Sequence, residues 1–470
     1  MNTSTAKTDT ALLSRDSAQP LSLQLAERYA ERIQQRLLLP GARLPSVRDC
    51  ARHHGVSPYT VVAAYDQLLA RGLLEARKQR GFFVREVQVP TQRAAPVPLS
   101  RAPLSASALI RGMFEADTRK APGLGTLPRE WLDLPLLQST LRRAMSQDDG
   151  DLQLQYGEAG GDARLRTALS QRLSLFGVAA SSEQIVSTVG ATHALELITR
   201  GLLNPGDAVL VDDPGWSVEY ARLTQAGMKL LPVPRGAQGP DLERMRHLAE
   251  QHRPRLYVTV SVLHNPTGNI LTLAAAHEIL KLAEAHDFVI VEDDSYADFA
   301  PSHSPRLSAL DGLQRTVYVG GFSKILTPAW RVGFLAASPA RVERLTEQKL
   351  LASLTTSPLM DRAVALCIEQ GQLRRHAERV LQKLDAARHR TVKLAEDAGC
   401  RFIAPPQGLF GWVDVGCDTE RLAQPMLDAG WLIAPGLLFS ATRQAGTLMR
   451  INYATAQDPK FWRLLEKLRD

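Results

Sequence analysis

Residues 317–333, VYVGGFSKILTPAWRVG, decide how the larger part of this chain is read. Residues 316–320 form an apolar run that predicts a buried strand. Ser323 and Lys324 follow in a loop, and Arg331 stands seven residues beyond the lysine. A lysine straight after a buried strand is an unusual choice, because lysine is rarely buried unless it is paired or reacting. Desolvation lowers its proton affinity, and the free amine can then attack a carbonyl. An arginine one or two helical turns on supplies a planar fork for a phosphate. Together the three suggest a pocket for pyridoxal phosphate (PLP). Taken alone, the segment fits equally well a strand and a solvated turn with a surface lysine.

On the N-terminal side of this stretch, helical and strand patterns alternate. Helices are predicted at 191–203, 217–226 and 273–286, and strands at 208–212, 229–233, 255–260 and 288–292. That alternation implies an α/β domain with a largely parallel sheet, whose ligands sit at the carboxyl ends of strands. Several candidate residues fall just there. Gly190, Ala191 and Thr192 open a helix whose free N–H groups suit a phosphate, or form a plain cap. Trp216 could stack on an aromatic ring or be core. Asn265, in HNPTG, offers an amide to a ring oxygen or makes an ordinary Asn-Pro turn. In EDDSY, residues 292–296, three consecutive acids repel one another unless a cation is near. A protonated pyridine nitrogen suits Asp293, and a metal is the rival. Arg450, on a strand predicted at 448–453, could clamp a carboxylate or lie on the surface.

Residues 20–86 read differently. Leu21, Leu25, Tyr29, Ile33 and Leu37 recur at helical spacing. Ser46 can cap a helix over 47–54, Gly55 makes a turn, and Ser57 caps a second helix that begins at Pro58. Helix, glycine turn and helix make a helix-turn-helix. Two short strands at 73–76 and 81–85, joined by the basic turn ARKQRG, make a wing. Residues 87–107 are rich in Pro, Ala and Ser and predict an extended spacer. Residues 1–19 read as a frayed tail, and 108–470 as the body.

Composition limits the alternatives. The chain has 470 residues, 44% of them apolar, which excludes a wholly disordered protein. No apolar run is long enough to span a bilayer, and the N-terminus has no secretory core. Four scattered cysteines suit a reducing cytoplasm. The net charge of +7 is modest, but Lys and Arg crowd the first hundred residues.

The segments LPSVRDCA, GVSPYTV, AYDQLLARGLL and RGFFV resemble the winged-helix domain of the GntR family of bacterial regulators. The resemblance implies that the second helix lies in the DNA major groove. Arg48, Ser57, Tyr59 and Thr60 would then face double-stranded DNA, with Arg80 and Gly81 at the wing tip. Residues 108–470 resemble the aspartate-aminotransferase superfamily, the type I fold of PLP enzymes, a large α/β domain with a small C-terminal α/β subdomain. That resemblance implies a Schiff base on Lys324 and pairing of Asp293 with the pyridine nitrogen. It gives Asn265 and Tyr296 the phenolic oxygen, and Trp216 the ring face. Ala191, Thr192, Ser323 and Arg331 would hold the phosphate, Tyr156 would reach the neighbouring subunit's phosphate, and Arg450 would bind an amino-acid carboxylate. Gly321 stands where relatives carry Ser or Thr, so one phosphate anchor is missing. The two halves together resemble the MocR subfamily. This implies a cytoplasmic, homodimeric transcription factor that senses PLP or a PLP–amino acid aldimine. The alternative is a working aminotransferase that carries a DNA-binding head.

Overall fold

The computed structural model describes residues 13, 19–35, 37–77, 80–85, 118–147, 150 and 154–469. The chain divides into two compact units, residues 1–101 and 102–470, each with its own core. The spacer expected at 87–107 lies outside the described residues. So do residues 108–117, Lys78, Gln79 and all of the expected tail except Leu13 and Gln19.

In the first unit, α1 (Leu21–Gln34), α2 (Val47–His54) and α3 (Pro58–Ala70) pack around Leu25, Tyr29, Cys50, Val61, Tyr65 and Leu68. The start of α2 is held by Ser46, whose Oγ accepts from Asp49 N at 3.2 Å. Gly55 ends the helix in the left-handed region, at φ 62°. Strands β1 (Leu74–Arg77) and β2 (Gly81–Val84) pair antiparallel, with Leu74 opposite Val84.

The second unit is built on an eight-stranded mixed sheet. Its strands are β3 (Ile185–Val189), β4 (Ala208–Asp213), β5 (Lys229–Gly236), β6 (Gly239–Pro240), β7 (Leu256–Thr259), β8 (Val289–Asp293), β9 (Thr316–Gly321) and β10 (Val332–Ala336). The spatial order is β3-β10-β9-β8-β7-β4-β5-β6. The five strands β9, β8, β7, β4 and β5 run parallel, while β10 and β6 run against their neighbours. Of the parallel strands, β4, β7, β8 and β9 are buried almost throughout, which is why they read as apolar runs, while β5 alternates buried and exposed residues. A smaller antiparallel sheet follows: β11 (Arg401–Phe402), β12 (Phe410–Asp414), β13 (Ala434–Pro435) and β14 (Leu448–Asn452). Its core includes Trp431, Phe461 and Trp462. The four cysteines are free thiols. Among the described residues, no helix is long and apolar enough to cross a membrane.

Candidate functional site

The carboxyl ends of β3, β4, β7, β8 and β9 deliver most of the candidate residues of the body to one place. Lys324 follows β9 and is partly buried, and its Nζ donates to Gly125 O at 2.8 Å. Burial, then the cationic Arg450 and Arg331, lower its pKa to about 8 against the opposing pull of Asp293. Arg450 is buried on β14. Its Nη1 donates to Asn265 Oδ1 at 2.9 Å and its Nη2 to Gly123 O at 2.6 Å. The guanidinium lies 4.4 Å from the Phe410 ring centre and 4.9 Å from that of Phe439. Among the described residues it has no carboxylate partner and its buried Nε has no acceptor, and burial lowers its pKa to about 10. The side chain of Asn265 lies beside the Tyr296 hydroxyl and favours its ionised form, but burial outweighs this and raises the Tyr296 pKa.

At the end of β8, strand alternation turns Asp293 away from its two acidic neighbours, and each of the three finds different partners. Glu292 is fully buried and accepts from Leu307 N at 2.7 Å, Ser308 N at 2.8 Å and the Ser261 hydroxyl. Asp294 pairs with the buried Arg306 at 2.6 Å and accepts from the Tyr318 hydroxyl at 2.8 Å. Only Asp293, between them, faces the site. Its Oδ1 takes Ser295 N and Oγ, no hydrogen bond from the described residues reaches Oδ2, and burial raises its pKa. No group of three metal-ligating side chains occurs among the described residues. A cavity of about 40 Å³ lies between Trp216, Glu219, His264, Asn265 and Asp293. A larger groove of about 680 Å³, reached by Asp213, Arg244 and Thr442, is lined by none of these five.

The other end of the site is made by backbone. The helix Gly190–Leu202 opens beside β10 so closely that a Cβ on Gly333 would meet the Gly190 carbonyl carbon at 2.5 Å. Gly190 itself has φ 76°, and its own Cβ would meet Arg331 Nη2 at 2.8 Å. Arg331, at the unusual φ of 53°, donates to Val189 O at 3.1 Å and to Ser323 Oγ at 3.5 Å. Ala191 and Thr192 occupy the first turn of that helix, where free N–H groups and the helix dipole attract anions. Tyr156 stands apart and is 82% exposed.

Two features go beyond the sequence reading, which found in APGLGTLPREWLD, residues 121–133, only a loose likeness to the N-terminal substrate-contacting segment of the aminotransferase superfamily. The loop 122–126 is tied to the small sheet and lies against Lys324. Asn452 Nδ2 donates to Leu124 O at 2.9 Å and Thr126 O at 2.7 Å, and Asn452 N donates to Pro122 O at 2.8 Å. Beneath the cavity is a buried polar network. Arg235 pairs with Asp212 at 2.9 Å, and Tyr257 and Thr259 donate to Asp212 at 2.6 and 2.7 Å. Burial opposes the charge on Asp212, but Arg235 and His264 hold its pKa at about 2. Burial, then Arg235, lower that of His264 to about 4.

In the head, Arg48, Ser57, Tyr59, Arg80 and Gly81 are exposed and Thr60 is partly so. The Ser57 hydroxyl is first a cap: its Oγ accepts from Thr60 N at 3.0 Å and lies 2.8 Å from Thr60 Oγ1. Val61, Ala64, Tyr65 and Leu68 turn inward, so α3 shows its opposite side to solvent. That side carries Tyr59 and also Val62, which sequence reading missed. At the wing, Arg77 lies 4.5 Å from the Phe83 ring centre and Arg80 N donates to Arg77 O.

Comparison with known proteins gives each unit a family. Residues 21–84 match the gntR family of bacterial regulatory proteins, and residues 128–468 match aminotransferase class I and II. The HTH-type transcriptional regulator TauR of Rhodobacter capsulatus is 30% identical, over 88% of this chain and 89% of its own. The probable rhizopine catabolism regulatory protein MocR of Rhizobium meliloti is 29% identical, over 81% and 78%. Among solved structures, the α-aminoadipate aminotransferase LysN of Thermus thermophilus, complexed with N-(5'-phosphopyridoxyl)-L-leucine, aligns with a TM-score of 0.70. It is 26% identical and covers 77% of this chain and 94% of its own.

Proposed function

The chain belongs to the aminotransferase class I and II family and carries a gntR-type head, the arrangement of MocR-type regulators, and from this we propose that it is a PLP-binding regulator that senses an amino acid or similar amine. The observation that carries the reading is Arg450, a buried guanidinium with no carboxylate partner and no Nε acceptor among the described residues. A buried cation left unpaired is costly, and an incoming carboxylate removes that cost. The remaining residues fit PLP. Lys324 offers an amine of lowered basicity, and Asp293 Oδ2 is left for a ring nitrogen. Asn265 and Tyr296 sit together for a ring hydroxyl, and Trp216 lines the wall. Ala191, Thr192, Ser323 and Arg331 would take the phosphate, and the exposed Tyr156 would reach a second copy in a homodimer.

When bound, PLP supplies an aldehyde that exchanges between amines and a ring that withdraws electrons. The chain's own groups do the rest. Lys324 gives up a proton to become nucleophilic, Asp293 holds a proton at the ring nitrogen, and Arg450 fixes the carboxylate of the incoming amine. The head binds double-stranded DNA through α3, and a dimer presents two heads to paired half-sites in the cytoplasm. Ligand alters DNA affinity only by binding two arrangements of the dimer unequally.

The test is the visible absorption spectrum of the purified chain with PLP, followed while amino acids are added. A visible band that one amino acid shifts and holds, together with changed DNA affinity, supports the sensor. Absence of any band overturns it. Full conversion to pyridoxamine phosphate with release of a keto acid makes the chain a transaminase as well, since the residues for that reaction are present.

Two further results are expected. In Gly321→Ser the new Cβ lies 3.6 Å from Ala191 N and 3.7 Å from Gly333 Cα, ordinary contact distances. The hydroxyl adds one donor at the phosphate end, worth about 1 kcal/mol, and PLP affinity measured by dialysis rises about fivefold. In Tyr59→Ala the lost side chain is 82% exposed. Thermal unfolding stays within about 0.5 kcal/mol of wild type, while operator affinity in a gel-shift assay falls about tenfold.

A further inference from the structure

Glu219 lies on the first turn of the helix Ser217–Gln225, three residues after Trp216, and is 5% exposed. Both of its oxygens are held by Arg222, Nε to Oε2 at 3.0 Å and Nη2 to Oε1 at 2.5 Å. Arg222 in turn reaches Glu196 Oε2 at 3.1 Å and Thr199 Oγ1 at 2.6 Å, and Glu196 also pairs with Arg200 at 2.5 Å. Glu219 and Asp293 line the same cavity. Burial and the Glu219 charge both oppose ionisation of Asp293, while Lys324 favours it from the far side. The opposite wall brings no net charge, because Asp212 is matched by Arg235 and His264 is held neutral beside them. At this end of the site three carboxylates (Asp293, Glu219 and Glu196) therefore face two guanidiniums (Arg222 and Arg200). Leaving aside Lys324 on the far side, whose amine is committed to the cofactor in the reading above, one negative charge is left over, and a cation placed at Asp293 balances it.

We propose that the Glu219–Arg222 pair is a specificity element of the PLP pocket that selects a ring whose nitrogen carries a proton. The proposal rests on the PLP reading above. Glu219 acts through the potential it sets at Asp293, and so is a positioning residue rather than a catalytic one. Like charges at close range are tolerated only when a positive group sits nearby. Asp293 alone would accept a ring proton, and Glu219 makes that proton the condition for leaving both carboxylates charged.

The test compares the affinity of the full chain for PLP and for its analogue with the ring nitrogen replaced by carbon. It uses wild type, Glu219→Gln and Glu219→Asp. Wild type is expected to prefer PLP. Glu219→Gln should reduce that preference about tenfold by weakening PLP alone, a change of one pKa unit at the ring nitrogen, and Glu219→Asp should largely restore it. Equal weakening of both ligands would give Glu219 a role in pocket shape only and overturn the proposal, as would no change for either. If wild type binds neither compound, the PLP reading itself fails and the proposal falls with it. If PLP binds but Glu219→Gln leaves the preference intact, only the proposal fails. The preference is a ratio within one variant, so a general loss of stability in Glu219→Gln cancels from it.

Discussion

Lys324→Ala removes the visible band that PLP gives with wild type and weakens cofactor retention at least about 100-fold, because a covalent bond is replaced by contacts alone. The fold does not depend on this lysine. Among the described residues its one hydrogen bond goes to Gly125 O, and its charge is disfavoured by burial and by Arg450. The apo variant therefore unfolds no earlier than apo wild type in a thermal scan. The pH dependence of cofactor attachment follows from the same surroundings. The neutral amine is the nucleophile, and its fraction rises as pH approaches the lysine pKa of about 8 from below. Stopped-flow rates of PLP attachment should climb about tenfold per pH unit below that value and level off above it. A profile that kept climbing to the ordinary lysine range of about 10 would show that burial and the two arginines do not act on Lys324. A variant that kept the band would place the covalent link on another amine.

Why some of this was legible in the sequence and some was not has a physical basis. The helices of the head were readable because capping is local. Ser46 and Ser57 each stand directly before the helix they close, and the structure begins α2 at Val47 and α3 at Pro58. Strand β9 was readable because a strand buried on both faces is an apolar run, and the loop after it had to carry Lys324 past the sheet edge. The triplet Glu292, Asp293 and Asp294 was readable only in part. Adjacent acids signal a need for partners without saying which partner each finds. The answers lie at Leu307 N, Ser308 N and Arg306, residues known to be close only after folding. The network of Asp212, Arg235, Tyr257 and His264 left no trace, because its members come from separate strands and loops that the parallel crossovers bring together. The loop 122–126, within APGLGTLPREWLD, showed in the sequence only a loose likeness to a substrate-contacting segment. It acts through main-chain carbonyls, and Gly123 and Gly125 have no side chains by which to announce them. Lys349 is a further case. In its helix, Pro339–Ser353, only Leu345 and this lysine are buried, and the lysine lies between Ser187 and Thr356.

Arg450 offers the sharpest separation of geometry from charge. Arg450→Lys keeps a cation beside Lys324 but loses the planar fork that can hold both oxygens of a carboxylate. Affinity for the effector amino acid is expected to fall about 100-fold, close to 3 kcal/mol, the usual cost of spoiling a buried, hydrogen-bonded charge pair. The PLP band and the pH profile of attachment should stay as in wild type, since the electrostatic neighbour of Lys324 is preserved. Arg450→Met makes the complementary change. It removes the largest charged contributor to the lowered Lys324 pKa, so that pKa rises and the attachment profile moves to higher pH. Methionine also leaves Asn265 Oδ1 and Gly123 O without their donor, so amino-acid affinity falls at least as far as in the lysine variant. The two variants together are decisive. If both lose the amino acid but only methionine moves the pH profile, Arg450 serves the ligand through its shape and Lys324 through its charge. If lysine binds the amino acid as well as arginine does, the carboxylate is held elsewhere. The unsatisfied Nε between Phe410 and Phe439 would then have to be explained by packing, in a position where a hydrophobic side chain would have been the cheaper choice.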